Sequence, residues 1–536
     1  MATVIVEKIL LPCIHIIFLY LNLDNNSFLS SRKMRFVLLL LLIAVFNINI
    51  SLALRNFIRG RSKDGNLGIL LSHTEQKWLP KEQWFIQMLD HFNPIDARVW
   101  KQRYFQNTEY YKPGGPMFLL IGGEGAATAK WMVQGQWIEY AKQFGAMCFQ
   151  LEHRFYGKSH PTADMSVKNL IYLNSEQALA DIAYFIESIN EIYKVLHNIK
   201  WIVFGGSYPG SLAAWMRVKY PHLVHGAVSS SGPVLAQVDF QQYYIIVENS
   251  LKEYSEACVD VLAAANKQFH MMLHHPIGQQ GIVKKFNLCD PIDIGYTKRV
   301  DISNLYETII SNFAGIVQYN KDNRNNSRMA NLSIDDACNI LMNEKIGIPI
   351  DRLAHISNMI LNASKEKCLD FRYDKMIHEL RNVTWDSEGA EGGRQWIYQT
   401  CTEFGFFQTS TARPNLFSEM FPVEFFIQQC IDIFGPRYNI DLLNNAVKRT
   451  NTLYGALKLE VNNVVFVHGS VDPWHALGIT TSLTPEATAI YINGTAHCAN
   501  MYPPSEHDPP QLKAAKAQVG QTIYQWLKTS KANGTR

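Results

Sequence analysis

From residue 117 onward, short unbroken apolar runs alternate with longer segments of helical rhythm. "MFLLI" (117–121), "AMCFQLE" (146–152), "WIVF" (201–204) and "GAVSS" (226–230) read as strands buried on both faces. Between them, 129–144 and 175–197 carry helical periodicity. In the second segment Leu179, Ile182, Ile186, Ile189, Tyr193 and Leu196 recur every three or four residues, behind Asn174 and Ser175 as caps. Strands alternating with helices predict a parallel sheet covered on both sides. The alternation stops after about 235, and residues 240–440 show helical segments but few strand runs. It resumes with "NVVFVHG" (463–469) and "ATAIYING" (487–494), before a last helix over 511–528. The pattern predicts one α/β domain, built from 80–239 and 441–536 and split by a mostly helical insertion over 240–440.

The N-terminus departs from this pattern and points to export. "FVLLLLLIAVF" (36–46) follows Arg32, Lys33 and Arg35 and leads to Ser51-Leu52-Ala53, the small-residue ending that a signal peptidase reads. Residues 34–53 are therefore expected to be a signal peptide. Met34 opens it, residues 1–33 form an N-terminal extension, and 54–79 form an N-terminal segment or propeptide. The apolar run at 9–20 leaves a signal anchor as the competing reading; at this length and with these flanks no stable membrane anchor is expected. The cysteines agree with export. Of the nine, Cys13 lies in the leader, Cys148 sits in an apolar run as a buried free thiol, and six lie between 258 and 430 as local staples. Glycosylation sequons occur at Asn325, Asn331, Asn362, Asn382, Asn493 and Asn533.

Composition narrows the function classes. Hydrophobic residues make up 47% of the 536 and charged residues 18%, enough to build a large core. A formal charge of +3 is small for this length and argues against nucleic acid as a partner. No clustered ligand pattern implies a metal, and no cofactor is expected.

"FGGSYPGSLAAW" (204–215) carries the chemistry. Ser207 follows an apolar strand and precedes a good helix former, the context of a nucleophile elbow. Pro209 stands where the G-x-S-x-G pattern has its last glycine, and Gly210 comes one residue later. Proline suits the first turn of a helix, so the elbow keeps its shape. An elbow serine needs a base, and the base needs a carboxylate, in the chain order Ser, Asp or Glu, His on this fold class. Asp472 lies on the loop after the 463–467 strand and His497 on the loop after 488–492. His468 and His475 are the rival bases, Glu124 and Glu403 the rival acids. The backbone N–H of Tyr208 and one from "LLIGGEGAA", at Gly123, would form the oxyanion hole.

In combination, "GGSYPGSLAAW", "EHRFYGKS" (152–159), "GGEG" (122–125), "YQTCTEFGFFQT" (398–409), "HGSVDPW" (468–474) and "GTAHC" (494–498) resemble the lysosomal Pro-Xaa carboxypeptidase and dipeptidyl peptidase II family of serine peptidases. The similarity spans roughly 80–528 and is strongest to the thymus-specific serine protease branch. It implies an α/β-hydrolase with a helical cap between nucleophile and acid, with Ser207 as nucleophile, Asp472 as acid and His497 as base. It also implies Trp474 as an aromatic wall for a small P1 residue, usually proline, and the pairs Cys258–Cys338, Cys289–Cys368 and Cys401–Cys430. The chain departs from the family's active exopeptidases at Pro209, where they carry Gly, and at Gly123, where they typically carry Asn.

The sequence thus predicts a secreted or lysosomal serine exopeptidase acting on short peptides, with a homodimer admitted as an assembly. An esterase or lipase on the same fold and a catalytically silent binding protein are the alternatives. Glu403 and Glu124 are candidates for the substrate-binding region, Glu403 as the group meeting a substrate's amino end.

Overall fold

The computed structural model describes residues 57–528 apart from 64, 66, 69–77, 197–198, 294–296, 323–328 and 414–415. The expected extension (1–33), the signal peptide (34–53), Asn325 and Asn533 lie outside the described residues.

The strands are β1 (Phe57–Ile58), β2 (Arg61–Ser62), β3 (Gln83–Met88), β4 (Val99–Asn107), β5 (Met117–Ile121), β6 (Met147–Leu151), β7 (Trp201–Gly206), β8 (Val224–Ser230), β9 (Gln237–Asp239), β10 (Gly405–Phe407), β11 (Val464–Gly469) and β12 (Ala487–Ile492). Eight of them form one sheet in the order β12-β11-β8-β7-β5-β6-β4-β3. It is parallel from β12 to β6, while β4 and β3 run antiparallel at one edge. The chain leaves β5 for β6 on one side and returns to β7 on the other. A reversal of this kind opens a crevice at the carboxyl ends of β5 and β7, where open α/β sheets bind ligands.

Side chains of a strand alternate between faces, and the two cores follow that period. Phe118 and Leu120 face the helices Gln136–Phe144 and Pro510–Lys528, packing with Ile138, Val519 and Ile523. Leu119 and Ile121 face the opposite side, with Leu179, Ile186, Leu212 and Trp215 of the helices Ser175–Ile192 and Tyr208–Lys219. All six parallel strands match the apolar runs in the sequence. The antiparallel pair was not among them, because β3 alternates exposed Trp84 and Ile86 with covered residues instead of forming a solid run. The periodic stretch 129–144 is broken: a 3-10 turn (Ala129–Met132) precedes the helix, and Gly135 at φ 107 turns the chain between Trp131 and Trp137.

Between β9 and β11 the chain is helical from Gln242–Tyr254 to Ile440–Tyr454, interrupted by β10, which pairs in parallel with β9. Three disulfides staple this stretch, Cys258–Cys338, Cys289–Cys368 and Cys401–Cys430, as befits the secretory pathway. Cys148 and Cys498 are free and buried. No helix among the described residues is long and apolar enough to cross a membrane.

Candidate active site

β7 ends at Gly206 and the next helix starts at Tyr208, so the single residue Ser207 makes the turn. Its φ of 66° and ψ of −136° are rare for a side-chain-bearing residue. Neighbouring glycines make the turn possible. A Cβ on Gly205 would lie 1.9 Å from the Pro209 carbonyl oxygen, and one on Gly210 would lie 2.6 Å from that of Ser230. Pro209 occupies the first helical turn, where no acceptor awaits its missing N–H. Ser207 N donates to Ser230 O at the end of β8 (2.9 Å), fixing the elbow against the sheet.

The loops after β11 and β12 bring Asp472 and His497 together. His497 Nδ1 is 2.9 Å from Asp472 Oδ1, which also accepts from Trp474 N (3.0 Å). Both side chains are fully buried. Burial opposes charge on the imidazole, but Asp472 and the Cys498 thiol override it and hold the His497 pKa well above the ordinary histidine value. Burial likewise opposes ionisation of Asp472, and His497 holds its carboxyl below the usual range. His497 Nε2, the other ring nitrogen, has no hydrogen-bond partner among the described residues. This loop adjoins the elbow: Cys498 N donates to Ser231 Oγ (2.9 Å), one residue beyond the Ser230 that anchors Ser207. The rival bases are placed elsewhere. Among the described residues His468 is buried with both ring nitrogens unpartnered and its pKa lowered by burial to about 4, and His475 Nδ1 lies 2.7 Å from the backbone carbonyl oxygen of Asp472 with its ring against Tyr491.

Gly123 lies on the loop after β5, directly over Pro209. A Cβ at 123 would stand 2.2 Å from Pro209 Cγ. The two departures from the family pattern are therefore one steric exchange, since the proline ring fills the space that a side chain at 123 would take. The Tyr208 hydroxyl meets His153 Nε2 (3.1 Å) and accepts from Gln399 Nε2 (3.2 Å). Glu152 organises the glycine loop, accepting from Ala127 N (3.0 Å), Lys158 N (3.0 Å) and Ser159 Oγ (2.7 Å) while ion-paired to Arg103. That network accounts for Glu152 and Ser159 of the "EHRFYGKS" stretch.

Trp474 is buried with rings of Phe240, Tyr243 and Phe406 around it and its centroid 6.4 Å from that of His497. Its Nε1 donates to Gln318 Oε1 (2.9 Å), Tyr243 OH donates to the same oxygen (2.6 Å), and Gln318 O accepts from His497 N (2.9 Å). Gln318, at the end of the helix Arg299–Gln318, is thus a site residue that sequence reasoning missed. Nothing in its local sequence marks it, and its partners, Gly60 among them, lie between 75 and 258 residues away.

Glu403 is placed differently from the expectation that it meets a substrate. It is buried, and its carboxylate accepts from Ser175 N (2.9 Å) and Ser175 Oγ (2.6 Å) at the start of the helix Ser175–Ile192. There its oxygens satisfy donors at the start of a helix. Burial pushes its pKa up to about 7 against those hydrogen bonds. Glu124 is buried on the glycine loop, and its carbonyl accepts from Arg61 Nε. Asn331, Asn362, Asn382 and Asn493 are exposed.

A mostly parallel sheet, crossed by helices on both faces, with a serine elbow after β7 and an Asp–His pair from the loops after β11 and β12, defines an α/β-hydrolase. The chain belongs to the serine carboxypeptidase S28 family, whose profile matches residues 87–519. A relative from Caenorhabditis elegans is 36% identical over 491 residues, 88% of this chain and 94% of its own. Thymus-specific serine protease of Mus musculus is 34% identical over 463 residues, 84% of this chain and 89% of its own. Lysosomal Pro-X carboxypeptidase of Homo sapiens is 26% identical over 511 residues, 92% of this chain and 98% of its own.

Proposed function

We propose that this protein is a serine exopeptidase that hydrolyses short peptides through an acyl-enzyme, with Ser207, His497 and Asp472 as its triad. The observation that carries the reading is the buried His497–Asp472 contact beside a serine held at φ 66°. In the first step Ser207 Oγ attacks the scissile carbonyl while Nε2 of His497, in its neutral form, takes its proton. Asp472 keeps Nδ1 protonated and stabilises the imidazolium. The tetrahedral oxyanion is met by the backbone N–H groups of Tyr208 and Gly123. His497 then protonates the leaving amine, and water, activated by the same imidazole, releases the acyl group. No metal or cofactor enters this scheme.

Trp474 walls the subsite for the residue before the cut, which suits proline or another small side chain. The stapled helices of 240–440 act as a cap that admits peptide ends and excludes folded chains. Export by the 34–53 signal leads to secretion or the lysosome, and the exposed asparagines carry glycans there. Ser207→Ala tests the triad directly: turnover should fall on the order of 10⁴-fold or more with folding intact. Fluorophosphonate labelling of the wild type should map to Ser207. Retained peptidase activity in the alanine variant, or hydrolysis of esters but no peptide in a mixed panel, would overturn the reading.

A further inference from the structure

β1 and β2 form a hairpin whose two-residue turn is Arg59-Gly60, with φ of 48° and 70°. Two successive positive φ values make the tight turn that matches strand twist. The hairpin tip is inserted between the helical insertion and the Asp–His loops. Gly60 O accepts from Gln318 Nε2 (2.9 Å), the side chain that also holds Trp474. A Cβ at Gly60 would lie 2.4 Å from the Trp474 ring and 2.3 Å from Gln408 Nε2, so only glycine fits against this wall.

The flanking residues extend the same contact. Arg59 is buried, its guanidinium bonded to Thr400 Oγ1, Phe426 O (3.2 Å) and Gln429 Oε1 (3.1 Å) and stacked over Phe407. Arg61 Nη2 donates to Glu391 O (2.6 Å) and its Nε to Glu124 O on the glycine loop. Gly65 rests on Gly125, and a Cβ on Gly206, the residue before Ser207, would come 2.8 Å from Leu67 Cδ2. The segment therefore crosses the aromatic wall and the glycine loop and ends beside the elbow.

We infer that the hairpin Phe57–Ser62, with Gly65 and Leu67 following it, belongs to an inhibitory pro-segment that fills the substrate cleft, so that the chain is made as a zymogen. The inference rests on the peptidase reading. The anchoring of Arg59 suits a removable part: no carboxylate among the described residues pairs with its guanidinium, and its Nε has no partner. A buried cation without a counter-ion is costly to hold, and desolvation lowers its pKa to about 9. Trp78 and Leu79 are exposed by 55% and 42%, and in the sequence Lys77 precedes them. A protease that cuts after lysine would hydrolyse the Lys77–Trp78 bond with one water, leaving a carboxylate on Lys77 and a new amino terminus on Trp78. The freed segment can then dissociate. While tethered, its effective concentration is about 1 mM, so a Kd near about 0.1 mM suffices to block about nine-tenths of the molecules.

The test compares the secreted full chain with the same chain after limited trypsin digestion, the cut verified by N-terminal sequencing. Peptide hydrolysis and fluorophosphonate labelling of Ser207 should both rise about tenfold or more on cutting. Gly60→Ala should raise both in the uncut chain, because its methyl group collides with Trp474. A synthetic peptide of residues 57–68 should inhibit the cut enzyme competitively and bind it in a fluorescence-anisotropy assay, and its Arg59→Ala version should bind more weakly. Equal rates before and after cutting, activity unchanged or lowered by Gly60→Ala, or no peptide binding overturns the inference. Peptide binding to a cut protein that neither labels nor hydrolyses any peptide leaves cleft occupancy standing and removes the peptidase reading instead.

Discussion

Replacing Glu403 by Gln should change how stability depends on pH, and the direction follows from the buried carboxyl. Burial raises its pKa from 4.5 to about 7 in the folded chain. The native state then binds the Glu403 proton more tightly than the unfolded state does. Between these two values the folded protein holds more protons, so stability contributed by this group is fully present below about 4.5 and is lost as pH rises through about 7. At 1.36 kcal/mol per unit, the loss amounts to about 3 kcal/mol. Glutamine is nearly isosteric, can accept from Ser175 N and donate to Ser175 Oγ, and does not titrate. The assay is urea unfolding followed by tryptophan fluorescence, wild type against Glu403→Gln, at steps from pH 4.5 to 7.5. Groups that titrate in both proteins cancel in the difference. The variant should gain on the wild type as pH rises, by about 3 kcal/mol across the series. A difference that stays flat, or that moves the other way, would refute the argument that Glu403 is held largely protonated by burial.

Other outcomes follow from single contacts. Gly123→Asn should reduce peptidase activity and yield, because its Cβ would stand 2.2 Å from Pro209 Cγ, and Gly123→Asn with Pro209→Gly should recover what the single change loses, measured as kcat/KM and secreted protein. Gln318→Ala should lower the thermal midpoint by leaving Trp474 Nε1 and Tyr243 OH buried without their acceptor, at about 1–3 kcal/mol for each orphaned group. Removing the Cys258–Cys338 bridge, which closes a loop across 80 residues, should cost about 4 kcal/mol in unfolding free energy at neutral pH.

The parallel strands, the elbow serine and the loops bearing Asp472 and His497 were legible in the chain because each is a local pattern. A short solid apolar run bounded by turn residues reads as a strand buried on both faces, and a strand followed at once by glycines, serine and a helix former leaves one tight turn. The edge pair β3–β4 was hidden because its outer face stays wet, which breaks the apolar run that marks a strand. Why this chain has Pro209 and Gly123 was also hidden. They lie 86 residues apart, and only the approach of the loop after β5 to the turn after β7 makes one fill the space of the other. Glu403 looked like a free acid beside a cysteine until the fold buried it against Ser175, 228 residues earlier. Gln318 and the Arg59-Gly60 tip carry no motif at all, and their parts in the site come from partners brought in by packing. Sequence periodicity records which face of an element is dry; which distant side chains share that dry space is decided only when the elements pack.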